Sequence, residues 1–164
     1  LRNGGASISC LRGHHDSVRD VQFFHGFSGE KTQKLASVSF DRSLKIWDVK
    51  NEKCELSASS LHTAEINACD TNGTYLVLTA SDDRTSMLID TRVGGKVLHV
   101  FQGHSHWVTS CALSKDSTMA LSGSTDCSVC LYDLRTMTVM RTILLQLPQD
   151  SKKAEIAEFC GLLF

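Results

Sequence analysis

Proline is almost absent from this chain: Pro148 is the only one in 164 residues, and the glycines are scattered, so no linker precedes the last twenty positions. No apolar run approaches the ~18 residues of a membrane-crossing helix, and no charged-then-apolar leader opens the sequence, so neither membrane insertion nor secretion is expected. There is also no basic block. With 17 Lys and Arg against 18 Asp and Glu the formal charge is −1, whereas a nucleic-acid or anionic-membrane surface needs clustered cations. Nucleic-acid binding is therefore not expected. The apolar share of 41% and charged share of 21% sit near globular averages and exclude disorder and coiled coil. What the chain has in number is cysteine. Seven of them, at 10, 54, 69, 111, 127, 130 and 160, form an odd, irregular set. Such a set fits reduced thiols inside a cell, in cytoplasm or nucleus, better than a disulfide framework. The chain opens on Leu1 rather than Met and is read as a piece of a longer polypeptide.

The sequence repeats itself. Asp-Arg-Ser at 41–43 returns as Asp-Arg-Thr at 83–85 and as Asp-Cys-Ser at 126–128, offsets of 42 and 43 residues. Each leads into an apolar–Asp pair: Trp47-Asp48, Ile89-Asp90 and Tyr132-Asp133. Ahead of the turns lie LASVSF, LTASD and LSGST. Further upstream stand GHHDSVRDV (13–21), LHTAEINAC (61–69) and GHSHWVTSC (103–111), each a His followed by a short strand. A fixed period of 40–45 residues marks a repeat architecture. The first unit holds four extended segments, near 18–24, 34–39, 43–48 and 53–58, with β-branched and aromatic residues between turn residues. In the second, Gly94-Gly95 turns the chain into its last strand. No sustained 3.6-residue apolar stripe occurs in 1–145, which makes the chain all-β.

Four-strand units with these G-H and W-D marks resemble the WD-repeat family of β-propellers, over about residues 1–145. The resemblance implies an all-β propeller arc of about three four-stranded antiparallel blades, at 13–60, 61–102 and 103–145. Residues 1–12 then form the outer strand of a preceding blade. Residues 146–164 begin a further blade, with AEFCGLLF as its first strand, or form a short helix. Blades bury their cores only against neighbours. The remainder of the propeller is therefore expected from missing sequence, with self-association as the alternative, and the piece alone should be marginal.

His14, Asp41 and Ser37 or Ser39 invite comparison with a Ser-His-Asp hydrolase, but no G-x-S-x-G elbow is present. The set also recurs as His62, Asp83 and Thr79 and as His104, Asp126 and Ser122, and an enzyme seldom needs three triads. The resemblance implies a structural tetrad instead: Trp47 donates to the serine, the serine links to His14, and His14 to Asp41. Tyr132 can replace the indole in unit three. Ile89 cannot in unit two, where Leu61 also replaces the glycine before the histidine, so that blade is expected to be the softest. Cys127 and Cys130 suggest a metal or redox pair, but they fall on ordinary hairpin positions with no second pair at finger spacing. No catalytic residue, metal or cofactor is expected.

Partners of such propellers usually dock on the face bearing the tight hairpins and the connections between blades. Repeat position puts Ser17, Arg19, Glu65, Asn67, Trp107 and Thr109 at the starts of first strands on that face. Phe40, Arg42, Asp82, Arg84, Thr125 and Cys127 lie beside the turns. Trp107 and Phe40 are the large apolar groups among them, and Trp, Tyr and Arg dominate interface hot spots. The expected function is a non-enzymatic scaffold binding other proteins or peptides. An alternative follows from Asp90-Thr91-Arg92 and Asp133-Leu134-Arg135, with Asp48-Val49-Lys50 as a variant. These are similar to the box by which some WD-repeat proteins join cullin–RING ubiquitin ligases as substrate receptors. A G-protein-β-like signalling adaptor is the other. The insertion HGFSGEKTQ (25–33) reads as a solvent loop.

Overall fold

The computed structural model describes residues 10–24 and 34–145. The expectations for 1–9, for the 25–33 insertion and for 146–164 lie outside the described residues. Among the described residues twelve strands form three four-stranded antiparallel sheets, each in simple meander order. The first holds β1 (Val18–Phe23), β2 (Lys34–Ser39), β3 (Leu44–Asp48) and β4 (Lys53–Ala58). The second holds β5 (Ile66–Thr71), β6 (Leu76–Ser81), β7 (Ser86–Asp90) and β8 (Lys96–Phe101). The third holds β9 (Val108–Leu113), β10 (Met119–Ser124), β11 (Ser128–Asp133) and β12 (Thr138–Leu144). Among the described residues the only helical element is a 3-10 turn at Thr91–Val93, closed by left-handed Gly94. None is a helix long and apolar enough to cross a membrane.

Alternation decides which side chains meet. Ala36, Val38, Leu44 and Ile46 leave one face of the first sheet and pack on Ile66, Cys69, Val77 and Ile89 of the second. Leu76, Leu78, Leu88 and Phe101 of the second sheet pack on Ala120, Cys130 and Tyr132 of the third. The second sheet is thus covered on both faces, and all six residues of β6 are buried. Strands β1, β5 and β9 run side by side, tying the sheets into an arc. Two carboxylates stitch that row: Asp20 accepts from the Cys69 N–H at 3.0 Å, and Asp70 from the Leu113 N–H at 2.7 Å.

The hairpins between second and third strands are built alike. Asp41, Asp83 and Asp126 each accept the backbone N–H two residues on, at 3.0, 3.0 and 2.9 Å, an Asx turn. The next residue takes a positive φ: Arg42 63°, Arg84 70° and Cys127 63°. Register breaks between third and fourth strands also recur, at Ile46/Trp47, Leu88/Ile89 and Leu131/Tyr132. A bulge repeated at one position in every sheet is a designed feature, and here it sits on the Trp, Ile and Tyr of the repeat mark.

Candidate functional site

Each hairpin carries a hydrogen-bonded chain running inward from its aspartate. In the first unit His14 Nδ1 lies 2.9 Å from Asp41 Oδ2, and His14 Nε2 lies 2.7 Å from Ser37 Oγ. The Trp47 indole N–H donates to that same Oγ at 2.7 Å. The protons follow by elimination. The ionised Asp41 carboxylate can only accept, so Nδ1 carries the ring proton and donates to it; Nε2 of the neutral ring then accepts the Ser37 hydroxyl hydrogen, and the Ser37 oxygen accepts from the indole, which can only donate. Ser39, the other candidate serine, is engaged differently: it accepts the Asp41 N–H at 3.0 Å and donates to Asp16 O at 3.2 Å.

The third unit reproduces the chain with a phenol. His104 Nδ1 is 3.2 Å from Asp126, its Nε2 is 2.8 Å from Ser122 Oγ, and Tyr132 Oη is 2.6 Å from that oxygen. Burial pushes the Tyr132 phenol up, well above its ordinary value, so it stays neutral. In the second unit His62 Nδ1 meets Asp83 at 2.8 Å and Nε2 meets Thr79 Oγ1 at 2.8 Å. There the chain stops, because Ile89 has no donor. All three carboxylates titrate well below the usual carboxylate range. Burial opposes their charge, but for Asp41 the Ser43 hydroxyl, the His15 N–H and His14 outweigh it. His62 and Thr85 do the same for Asp83, and Ser128 and the Ser105 N–H for Asp126.

The hydroxyls of Ser43, Thr85 and Ser128 donate to these aspartates at 2.6, 2.6 and 2.5 Å. They are part of the sets although sequence reasoning passed over them; the hydroxyl recurring two residues after each aspartate was the available signal. Ser37, Thr79 and Ser122 are 3%, 0% and 1% exposed, so no substrate carbonyl reaches their oxygens. Cys130 is buried, 3.6 Å from Thr142 Oγ1, and Cys127 is half-buried on its turn. No group of three or more His, Cys, Asp or Glu among the described residues is placed to hold a metal.

On the hairpin side Ser17, Arg19, Arg42, Glu65, Arg84, Trp107 and Thr125 are exposed, whereas Phe40, Asn67, Asp82, Thr109 and Cys127 are half-buried. Arg19 covers Phe40, its guanidinium carbon 4.7 Å from the ring centroid. Trp107 is 51% exposed and has a histidine beside it rather than an arginine: the His106 ring tilts against it at 4.8 Å. Asn67 is a bridge, its amide donating to Asp82 Oδ1 at 2.6 Å and to Val108 O at 3.0 Å. At the opposite end, Arg92 is paired with Asp90 at 2.7 and 3.1 Å and lies 3.5 Å over the Tyr75 ring. That arginine borders a cavity of about 380 Å³ floored by Phe24, Ile46 and Leu56.

This architecture is shared. The chain is 34% identical over 106 residues to Protein Notchless of Drosophila melanogaster, covering 65% of this chain and 21% of that protein. It is 31% identical over 134 residues to the ribosome biogenesis protein WDR12 homolog of Drosophila willistoni, covering 79% of this chain and 30% of that one. It therefore spans under a third of the length of these two relatives. The crystal structure of the WD40 β-propeller domain of Doa1 superposes with a TM-score of 0.70 at 23% identity, over 82% of this chain and 43% of that one. The model of the WD domain, G-beta repeat, matches three times, at residues 5–48, 54–90 and 95–133. With three matched repeats, three four-stranded sheets and a His–Ser/Thr–Asp set in each, the chain belongs to the WD40 repeat family and forms an arc of its β-propeller.

Proposed function

We propose that the protein is an intracellular, non-catalytic scaffold whose hairpin face binds other proteins or peptides. The observation that carries this reading is Trp107, a large aromatic left half in solvent on the face where the chain presents its turns. An exposed tryptophan contributes most of its burial energy only when a partner covers it. The His-Ser-Asp sets support the non-catalytic half, since their hydroxyls are sealed and committed to the histidines. One of the relatives bears the name of a ribosome biogenesis protein, which fits a role within a multiprotein assembly. In the substrate-receptor alternative the D-x-R arginines would meet the ligase. Arg92 is already spent on Asp90 and Tyr75, which favours the scaffold reading.

The test is affinity purification from cells with wild-type, Trp107→Ala and Phe40→Ala chains. Both substitutions should strip the co-purifying proteins with the fold retained by circular dichroism; melting should stay unchanged for Trp107→Ala and fall slightly for Phe40→Ala, which also removes the ring under Arg19. Retention of all partners by both variants would overturn the proposal.

A further inference from the structure

The three units correspond position by position. Arg19, Asn67 and Thr109 share one place, Phe40, Asp82 and Thr125 a second, and Ser17, Glu65 and Trp107 a third. The backbone bonds Phe40 N to Ser17 O, Asp82 N to Glu65 O and Thr125 N to Trp107 O, each at 3.0 Å, make the correspondence exact in space. In the first unit the protein supplies its own cation to its aromatic ring, Arg19 over Phe40. Trp107 receives no such partner: no described lysine or arginine lies over its ring. Its ring packs on His106, 4.8 Å between centroids, and the acidic groups lie across the seam on the second sheet. The Asn67 amide bridges Asp82 Oδ1, at 2.6 Å, to the carbonyl of Val108, the residue after Trp107, at 3.0 Å. Glu65 is exposed and adjoins Asp82 through the backbone bond already given. Neither carboxylate forms an ion pair with a described residue.

We propose that this seam between the second and third sheets recognises an arginine side chain carried on an extended segment of a partner protein. The guanidinium stacks on Trp107, as Arg19 does on Phe40, and donates to the Asp82 and Glu65 carboxylates. Arginine suits the site better than lysine because a planar cation can stack and donate along two edges at once. The inference rests on the reading of the hairpin face as the partner surface and names the chemistry of that partner.

The test is a titration of the protein, with its tryptophan indoles labelled, by blocked pentapeptides whose central residue is arginine, citrulline, norleucine or glutamate. The arginine peptide should shift the Trp107 indole resonance and leave the Trp47 indole, bonded inside the first sheet, unmoved. Citrulline keeps the shape without the charge and should bind at least tenfold more weakly. Asp82→Asn and Glu65→Gln should each weaken the arginine peptide several-fold; the second does not touch the Asn67 bridge, so it separates lost recognition from a disturbed seam. Arg84→Glu, which removes the cation at the tip of the same hairpin, should tighten it. Equal binding of the citrulline or norleucine peptide, stronger binding of the glutamate peptide, or no shift with arginine would overturn the proposal. If partners in cells still depend on Trp107 when the arginine peptide fails, the arginine reading falls and the hairpin-face reading stands. If Trp107→Ala also leaves those partners bound, both fall.

Discussion

Ser37 has two polar neighbours and almost no water. Its oxygen accepts from Trp47 and its hydrogen serves His14, in a side chain only 3% exposed. Ser37→Ala strands both an indole N–H and an imidazole nitrogen, and an unpaired buried polar group costs about 1–3 kcal/mol. Urea denaturation should register a loss of that size. The aspartates at the other end of the chains set the pH response. Their folded pKa values lie below the unfolded carboxylate value of about 3.9, so below that value the unfolded chain binds more protons than the folded one. The stability they contribute is complete above about pH 5 and is lost as pH falls through the unfolded value toward the folded ones. Urea midpoints should drop below pH 4; a midpoint at pH 3 equal to that at pH 5 would remove Asp41, Asp83 and Asp126 from the account.

The departure in unit two is a paired change. A Cβ on Gly13 would stand 3.1 Å from the Trp47 ring, close enough that the ring would have to shift by a few tenths of an ångström. In the second unit Ile89 replaces the indole, and Leu61, in the glycine's place, packs against the cluster that contains Ile89. Ile89→Trp alone should overpack this site and cost about 1–3 kcal/mol, and Leu61→Gly with Ile89→Trp should recover much of it, measured as the coupling in a double-mutant cycle. The pairing was not legible in the sequence, where Leu61 and Ile89 were two separate losses.

At the level of the elements the missing donor at Ile89 sets the second sheet apart. Counting donors makes the second sheet the softest, and one missing hydrogen bond is worth about 1 kcal/mol. Packing does not decide against that order: Val77, Leu78, Leu88 and Ile89 are each at most 1% exposed, and Ala36, Val38 and Leu44 of the first sheet are buried as deeply. Amides of β6 and β7 should therefore exchange faster than those of β2 and β3. Slower exchange in β6 and β7 would overturn the expectation. Strands, turns and their order were legible because period-2 alternation and the Asp-x-Ser/Thr turn act locally and recur three times. Asn67 shows the limit. Alternation puts it on the partner side, but only the neighbouring sheet turns its amide into a bridge to Val108 O. The same holds for Asp20 and Asp70, whose acceptors are needed by backbone of the next sheet.

Over the whole molecule the repeats divide the work. Buried polar chains hold each hairpin to its sheet, apolar faces hold sheet to sheet, and what stays in solvent on the hairpin side is free to differ between units. The residues that looked most like chemistry, serine, histidine and aspartate together, are the ones the fold consumes. Among the described residues Trp107 is the one large aromatic on the hairpin side that the fold leaves half exposed. Thermal unfolding of two variants side by side tests this division most directly. Ser37→Ala should lower Tm by roughly 2–12 °C, from a loss of about 1–3 kcal/mol at 2–4 °C per kcal/mol in a chain of this size, while Trp107→Ala should leave Tm within a degree of the parent. An unchanged Tm for Ser37→Ala, or a fall for Trp107→Ala as large as the one expected of Ser37→Ala, would contradict it.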